Sequence, residues 1–210
     1  MKTITCYLDF ISPYAYLAFE ALPKNLLGVS HLMVYKPVLF AAMLKHHGQL
    51  GPAEIAGKRE WTYRQVVWQA KQLGVTLDMP QAHPFNPLAL LRLAVACSAE
   101  GEPNRYVCET IFKHVWHGGA AADNVARVQS LAQQLAPQRS VDAPEVKAQL
   151  KANTEEAIAR GVFGVPTFYV DDKVFWGLDA LPMMRAYLDH DPWFASNWDS
   201  CNQVQAGVRR

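Results

Sequence analysis

Residues 161–168 read Gly-Val-Phe-Gly-Val-Pro-Thr-Phe. A proline at the start of a strand, behind a glycine-rich turn, is typical of a cis peptide bond, although a trans proline at a strand edge fits the pattern equally well. A cis Val165–Pro166 bond would point the N–H and C=O groups of Val165 outward, where they are free to pair with an extended peptide backbone. The stretch therefore predicts a strand that begins beside a site where Val165 can bind the backbone of an extended peptide.

The N-terminal stretch predicts a strand followed directly by a helix. Residues 3–10 mix β-branched, aromatic and apolar side chains, as a buried strand does, and Ser12-Pro13 follows them. Serine caps the free N–H groups of a helix, and proline loses nothing at the first helical position. Such a helix start stabilises an anion, including a thiolate, to which the Ser12 hydroxyl can donate. By itself, the segment favours a plain capping role for Ser12.

The remaining patterns give the order β-α-β, a helical block, then β-β-α. A second strand at residues 31–35 follows the first helix, which predicts a parallel pair with a right-handed crossover. Helical patterns dominate residues 39–159, and the strand pattern returns at 166–170 and 173–176 as a hairpin. The sequence predicts an α/β fold with these parts: a sheet domain at residues 1–49 and 159–192, an all-helical insertion at 50–158, and a loosely held tail at 193–210.

Composition excludes several classes of function. The chain has 210 residues, with 20 Lys and Arg against 19 Asp and Glu and no basic stripe, so neither nucleic acid nor an anionic membrane is an expected partner. The N-terminus lacks the pattern of a secretory signal, and no apolar run is long enough for a transmembrane helix. A cytoplasmic location is the resulting expectation.

The cysteines and histidines predict neither a redox pair nor a metal site. No Cys-x-x-Cys motif occurs, so the cysteines are interpreted as buried free thiols in a reducing compartment. They are Cys6, Cys97, Cys108 and Cys201. The pairs His46-His47 and His114-x-x-His117 have no carboxylate or cysteine at a matching spacing, so no metal is expected.

Two stretches together resemble a known family. Residues 9–14, Asp-Phe-Ile-Ser-Pro-Tyr, and residues 161–168, followed by Phe-Trp-Gly-Leu-Asp at 175–179, are similar to the 2-hydroxychromene-2-carboxylate isomerases. These enzymes belong with the kappa-class glutathione transferases in the thioredoxin-fold superfamily. The resemblance covers about residues 3–190 and implies a thioredoxin-like domain with a large helical insertion. It also implies glutathione as cofactor, an aromatic carboxylate as substrate, and a homodimer.

The resemblance implies a role for particular residues at the glutathione. Ser12 would be the catalytic residue, because its hydroxyl would bond the sulfur and keep it as a thiolate. Val165 would pair with the glutathione backbone beside a cis Pro166. The segment expected to hold the γ-glutamyl end, with the last carboxylate facing its ammonium group, is Trp176, Gly177, Leu178 and Asp179.

Residues at the second substrate follow from the resemblance and from residue type. Lys45 is expected to meet the substrate carboxylate. Several aromatic side chains could line a pocket there, although core packing is the default expectation for each of them, and they are Tyr14, Tyr16, Trp61, Trp68 and Phe85. The full set expected there is Lys45, Gln49, Phe85 and Arg64. Two positions depart from the family pattern, since Ala180 stands where the family has arginine and Gln49 where it has asparagine. Both departures put the exact substrate in question.

Three other functions remain as alternatives. A disulfide oxidoreductase of this fold needs cysteine where Ser12 and Ala15 stand, which argues against that activity. A kappa-type glutathione transferase or peroxidase would keep the same glutathione site and differ only in the second substrate. A non-catalytic protein that binds glutathione conjugates is the third alternative, because of Ala180 and Gln49.

Overall fold

The computed structural model describes residues 1–204 and Gly207. Four strands form one sheet in the order β2-β1-β3-β4, and they are β1 (Lys2–Leu8), β2 (His31–Pro37), β3 (Thr167–Val170) and β4 (Lys173–Trp176). Strand β1 pairs in parallel with β2 and antiparallel with β3, which forms an antiparallel hairpin with β4. The predicted parallel pair and the predicted hairpin are therefore confirmed.

Eight of the nine helices in the described part of the chain occupy the connections that the sequence predicts, and the ninth, α9, lies in the predicted tail. They are α1 (Pro13–Asn25), α2 (Phe40–His46), α3 (Lys58–Leu73), α4 (Leu88–Ala96), α5 (Arg105–Trp116), α6 (Val125–Leu135), α7 (Pro144–Ala159), α8 (Leu181–Leu188) and the short α9 (Trp193–Ser196). Among residues 1–204 and Gly207, none of these helices is both long enough and apolar enough to cross a membrane.

The first strand and the first helix are shorter than predicted. Strand β1 ends at Leu8 because the Asp9 side chain begins a turn, in which its Oδ1 accepts a hydrogen bond from the Ile11 N–H at 3.1 Å. Helix α1 ends at Asn25, and Gly28 follows with a φ of 80°. The turn leaves Ser12 free to cap the helix.

Strand β1 sends alternate side chains into two cores, as a strand buried on both faces must. Cys6 and Leu8 belong to the larger core, which includes buried residues of α1, α4 and α5. Tyr7 belongs to a smaller core with Met43 of α2 and Val165. The smaller core fixes Val165 at the carboxyl end of β1, where the candidate site lies.

The predicted tail is held more firmly than expected. Phe194 and Trp198 pack against Phe175 of β4, with ring centroids 6.2 and 5.4 Å away, and Phe194 also contacts Tyr187 of α8 at 5.1 Å. The prediction of a loosely held segment is wrong for these residues, because their aromatic rings cover the outer side of the hairpin. Residues 205, 206 and 208–210 of the predicted tail lie outside the described residues.

Two expectations about burial are wrong in part. Cys6 and Cys108 are buried, but Cys201 is exposed, so the cysteines are not all core thiols. Trp61 and Trp68 lie on the outer face of α3 with 62% and 58% of their surfaces exposed, although core packing was the default expectation for aromatic side chains. Their neighbours on α3 that do pack inward are small or medium side chains, such as Val66 and Ala70.

Candidate active site

Ser12 lies between two elements at the carboxyl end of β1. Its backbone is extended, and its Oγ accepts a hydrogen bond from the Ala15 N–H at 3.2 Å, which makes it the N-cap of α1. The same Oγ donates to the Val165 carbonyl oxygen at 3.3 Å. Because a serine hydroxyl has one proton, an anion that binds here has to take that proton in place of the Val165 carbonyl.

The Val165–Pro166 peptide bond is cis, as predicted. The Val165 carbonyl is not fully free, however, because it accepts the bond from Ser12, and this corrects the expectation that both backbone groups are unpaired. The Val165 N–H makes no hydrogen bond with any residue in the described part of the chain, and the same holds for the Tyr14 N–H at the start of α1. Two backbone donors near Ser12 therefore have no partner within the described part of the chain.

The segment after β4 lies next to the cis proline. The Gly177 N–H donates to the Pro166 carbonyl at 2.9 Å. Gly177 has a φ of 97°, and a Cβ atom there would come within 2.5 Å of Asp179 Oδ1, so only glycine fits. Asp179 is exposed and makes no ion pair among residues 1–204. Its carboxylate remains available to a ligand cation.

Trp176 and Gly164 approach each other closely on the other side of this segment. A Cβ atom on Gly164 would lie 2.6 Å from Trp176 Nε1. The Trp176 ring packs on Phe163, with centroids 4.9 Å apart, yet half of its surface stays exposed. The absence of a side chain at Gly164 therefore lets the half-exposed indole lie close against the loop that carries Val165.

Tyr14 connects the helix start to this segment. Its hydroxyl donates to Gln65 Oε1 of α3 at 2.6 Å. Burial raises the pKa of Tyr14, and the negative charge of Asp179 raises it further. The tyrosine therefore stays neutral, and Asp179 lies close enough for its charge to act at the start of α1.

Asp9 is fully buried beneath Ser12. Its Oδ1 and Oδ2 accept hydrogen bonds from the N–H groups of Ile11 (3.1 Å) and Phe40 (3.0 Å), and its carbonyl oxygen accepts from the Ser12 N–H at 3.1 Å. Burial raises the pKa of Asp9 to about 7, although the two backbone N–H groups oppose the shift. The residue ties the Ser12 turn to the start of α2.

The raised pKa of Asp9 predicts a specific pH dependence of stability. In the unfolded chain the carboxyl group titrates near 3.9, so between about pH 4 and pH 7 the folded state binds more protons. The contribution of Asp9 to the free energy of unfolding is therefore largest at low pH, and this contribution is lost as the pH rises through 7. An Asn side chain does not titrate, so the stability of the wild type relative to Asp9→Asn should fall by about 2–3 kcal/mol from pH 5 to pH 8.

Urea unfolding at a series of pH values measures this difference. Asp142→Asn is the matched control, because the Asp142 side chain is 79% exposed. A difference between wild type and Asp9→Asn that stays constant with pH would contradict the raised pKa of Asp9.

The helical block holds the Ser12 turn through two carbonyl groups. Trp116 Nε1, fully buried, donates to the Phe10 carbonyl at 3.1 Å, and His83 Nε2 lies 2.8 Å from the Ile11 carbonyl. Tyr63 contacts His83 Nδ1 at 2.8 Å. Burial lowers the pKa of His83. We therefore assign the proton of the neutral ring to Nε2, where Ile11 accepts it.

These supporting residues were not predicted as part of the site. The sequence shows Trp116 two residues before Gly118 and His83 directly before Pro84, and these patterns indicate a helix end and a turn. Neither pattern specifies that the side chains reach the Phe10 and Ile11 carbonyls. Only the long-range packing of the helical block brings them there.

The predicted substrate residues are distributed over three places. Phe85 is nearly buried and packs on His83, with centroids 6.2 Å apart, so it belongs to the support of the Ser12 turn. Lys45 and Gln49 are exposed at and after the end of α2, and Arg64 is exposed on α3. Lys45 lines a groove between α2, α4 and α7. No side-chain hydrogen bond within residues 1–204 joins Gln49 or Arg64 to Ser12.

The cysteine thiols of the core are poor nucleophiles. Burial raises the pKa of Cys6 and Cys108 well above the ordinary value, and it raises the pKa of Cys97 to about 11. The two histidines that bracket the end of α5 also have separate partners, since His114 Nε2 contacts the Ala122 carbonyl and His117 Nε2 contacts the Tyr16 hydroxyl. None of these thiols or imidazoles is therefore a good candidate for a nucleophile beside Ser12.

Known proteins are similar in sequence to this chain along most of its length. The DSBA-like thioredoxin domain family matches residues 3–189. The chain is 28% identical over 201 residues to a 2-hydroxychromene-2-carboxylate isomerase of Sphingobium xenophagum, covering 89% of this chain and 98% of that protein. It is 24% identical over 207 residues to glutathione S-transferase kappa 2 of Caenorhabditis elegans, covering 89% of this chain and 92% of that protein.

A solved structure supports the fold. A 2-hydroxychromene-2-carboxylate isomerase aligns with a TM-score of 0.77 and 22% identity, covering 93% of this chain and 98% of the other. The thioredoxin-like α/β fold and the resemblance to these isomerases and to the kappa-class transferases are thereby confirmed. Because the family model spans nearly the whole chain, the protein belongs to the DSBA-like thioredoxin domain family.

Proposed function

We propose that this protein binds glutathione with the thiolate at Ser12 and uses it to isomerise 2-hydroxychromene-2-carboxylate or a related aromatic-degradation intermediate. The observation that carries the proposal is the position of the Ser12 hydroxyl. It caps α1 and lies 3.3 Å from the Val165 carbonyl, beside a cis proline. The curated relatives named as such isomerases and as kappa transferases support the choice of cofactor and reaction.

The residues present fit a glutathione molecule. The free Val165 N–H can pair with a peptide carbonyl of the ligand, as a strand edge pairs with an added strand. Asp179 offers an exposed carboxylate to the γ-glutamyl ammonium group. Between Val165 and Asp179, the ligand would run along the backbone of Gly177 and Leu178 and beside the indole ring of Trp176.

The chain itself stabilises negative charge on sulfur. Ser12 donates its hydroxyl proton, the Tyr14 N–H adds a second donor, and the start of α1 contributes a partial positive charge. Glutathione held at Ser12 and the Tyr14 N–H would supply a thiolate nucleophile for the conjugated, ring-opened substrate. Cys6 and Cys108 take no part, because both are buried and protonated.

We place the binding site of the second substrate at residues on and next to the helical block. Lys45 would meet its carboxylate, and Phe85, Arg64 and Gln49 would contribute to the pocket, as the resemblance and residue types suggest. Ala180 cannot supply the charge of the arginine that the family has next to Asp179. We therefore expect weaker binding of the γ-glutamyl end than in proteins that keep it.

A kappa-type transferase or peroxidase is the second candidate. It is favoured by the match to the kappa transferase of Caenorhabditis elegans and by a second match to the kappa 1 enzyme of Rattus norvegicus at 24% identity over 212 residues. It would use the same Ser12 site with an electrophile or a hydroperoxide as second substrate.

Turnover assays with and without glutathione test these functions. The expected result is glutathione-dependent conversion of 2-hydroxychromene-2-carboxylate to its open-chain aryl pyruvate. The change in absorbance measures this conversion. Activity only towards chlorodinitrobenzene or a hydroperoxide would move the assignment to the transferase. Binding of glutathione without any turnover would indicate a conjugate-binding protein, and absence of binding would remove the proposal.

A further inference from the structure

A groove of about 530 Å³ lies between α2, α4 and α7, and we name it the basic groove. Its walls include the apolar side chains Leu88 of α4 and Leu150 and Ile158 of α7. The volume falls within the range of pockets that hold small molecules, which are mostly apolar with a few placed polar groups.

The basic groove concentrates positive charge on a nearly neutral chain. Four basic side chains line it against one acidic side chain, Glu155, whereas the whole chain has a formal net charge of +1. The basic side chains are Lys45, Arg92, Lys147 and Lys151. Lys147 and Lys151 make only long, exposed ion pairs, with Asp142 at 3.8 Å and with Glu155 at 3.6 Å. Such pairs contribute little and are readily exchanged for a ligand anion.

Arg92 is the least satisfied of these cations. Its Nε atom is shielded from solvent and has no hydrogen-bond partner among the described residues, and no ion pair of Arg92 occurs there either. Buried donors are paired in the great majority of cases, so the unpaired Nε leaves Arg92 poorly satisfied. Because Nε is shielded, the terminal Nη1 and Nη2 groups are the donors that can reach a ligand in the groove. A guanidinium presents a planar fork of donors that matches a carboxylate or a phosphate.

The Thr154 hydroxyl joins the α2 and α7 walls of the basic groove. The Leu39 N–H donates to Thr154 Oγ1 at 3.0 Å, and that hydroxyl donates to the Leu150 carbonyl at 2.9 Å. Leu39 and Thr154 both line the groove, so α2 and α7 are joined along it. A preformed groove loses less conformational entropy when a ligand binds.

We propose that the basic groove binds a small amphiphilic anion, with a medium-length apolar chain along Leu88, Leu150 and Ile158 and an anionic head group on Arg92 and Lys45. The head group is a carboxylate or a phosphate, since both match the arginine fork and both satisfy an excess of positive charge. Binding here does not depend on glutathione. Lys45 also belongs to the proposed function, whereas Arg92 does not, so Arg92 is the residue that tests the groove.

Calorimetric titration with decanoate and with decyl phosphate tests the proposal on the full chain. Both should bind, decanol should bind at least about tenfold more weakly, and saturating S-methylglutathione should not displace either anion. Arg92→Gln should weaken binding about tenfold or more, because the anion loses its bidentate partner. Arg59→Gln, which removes an arginine charge from exposed α3 outside the groove, should change affinity less than about twofold.

Further variants keep the test decisive. Arg92→Lys keeps the charge without the fork and should bind between wild type and Arg92→Gln, while Lys45→Gln should weaken binding several-fold if Arg92→Gln does not fold. No binding of either anion would overturn the proposal. So would equal binding of decanol, displacement by S-methylglutathione, or unchanged affinity in both the Arg92 and the Lys45 variants.

Discussion

Ser12→Ala should lower glutathione-dependent turnover at neutral pH about 10- to 100-fold and raise the pKa of the bound glutathione thiol by about 1–2 units. A hydrogen bond to a charged group contributes about 1.5–3 kcal/mol, and one pKa unit corresponds to about 1.4 kcal/mol. Ser12 Oγ is the one side-chain hydroxyl that bridges the start of α1 and the Val165 carbonyl within residues 1–204. Steady-state rates and the ultraviolet absorbance of the thiolate against pH measure both effects.

Two control variants separate the thiolate role from helix capping. Ser12→Thr keeps both the hydroxyl and the cap, so it should retain most of the turnover. Asn124→Ala removes an equivalent cap from α6, where the Asn124 side chain accepts from the Arg127 N–H at 3.1 Å. It should cost about 1 kcal/mol of stability and leave turnover unchanged. Equal turnover in Ser12→Ala and wild type would show that Ser12 only caps helix α1 and does not stabilise the thiolate.

Trp116→Ala should lower the free energy of unfolding by about 3–5 kcal/mol, the largest loss expected for a single side chain here. The Trp116 indole is fully buried, stacks on Tyr16 at 6.4 Å, and donates to the Phe10 carbonyl. Its removal leaves both a cavity and an unpaired buried carbonyl. Urea unfolding measures the loss, and the slope of the free energy of unfolding against urea concentration should not change.

Comparison with two other variants identifies the cause. Trp116→Phe keeps a buried aromatic ring but loses the N–H, so it should cost about 1–3 kcal/mol. Trp61→Ala removes an indole that is 62% exposed and should change stability by no more than about 0.5 kcal/mol. If Trp116→Ala and Trp61→Ala were equally stable, Trp116 would not anchor the Ser12 turn to the helical block.

The parts of the fold predicted from sequence rest on neighbours along the chain. Ser12 before Pro13 specifies a cap within one helical turn, and the two strands around Asp171-Asp172 specify a hairpin across a two-residue loop. Both signals depend on φ, ψ and hydrogen bonds of consecutive residues, and both are confirmed.

The parts that were missed depend on contacts between distant segments. His83 and Trp116 reach the Ile11 and Phe10 carbonyls only because the helical block packs against α1. No local sequence pattern specifies how the block packs. Phe194 and Trp198 cover Phe175 in the same way, so a segment without periodicity is nevertheless packed. The basic groove likewise brings together side chains from α2, α4 and α7.

Calorimetric titration with reduced glutathione and with S-methylglutathione tests the central claim most directly, because methylation removes the ionisable thiol and little else. We predict that the thiol binds at least about tenfold more tightly than its methylated form and that Ser12→Ala removes most of this difference. Equal affinity for the two ligands, or no binding of either, would contradict a thiolate held by Ser12.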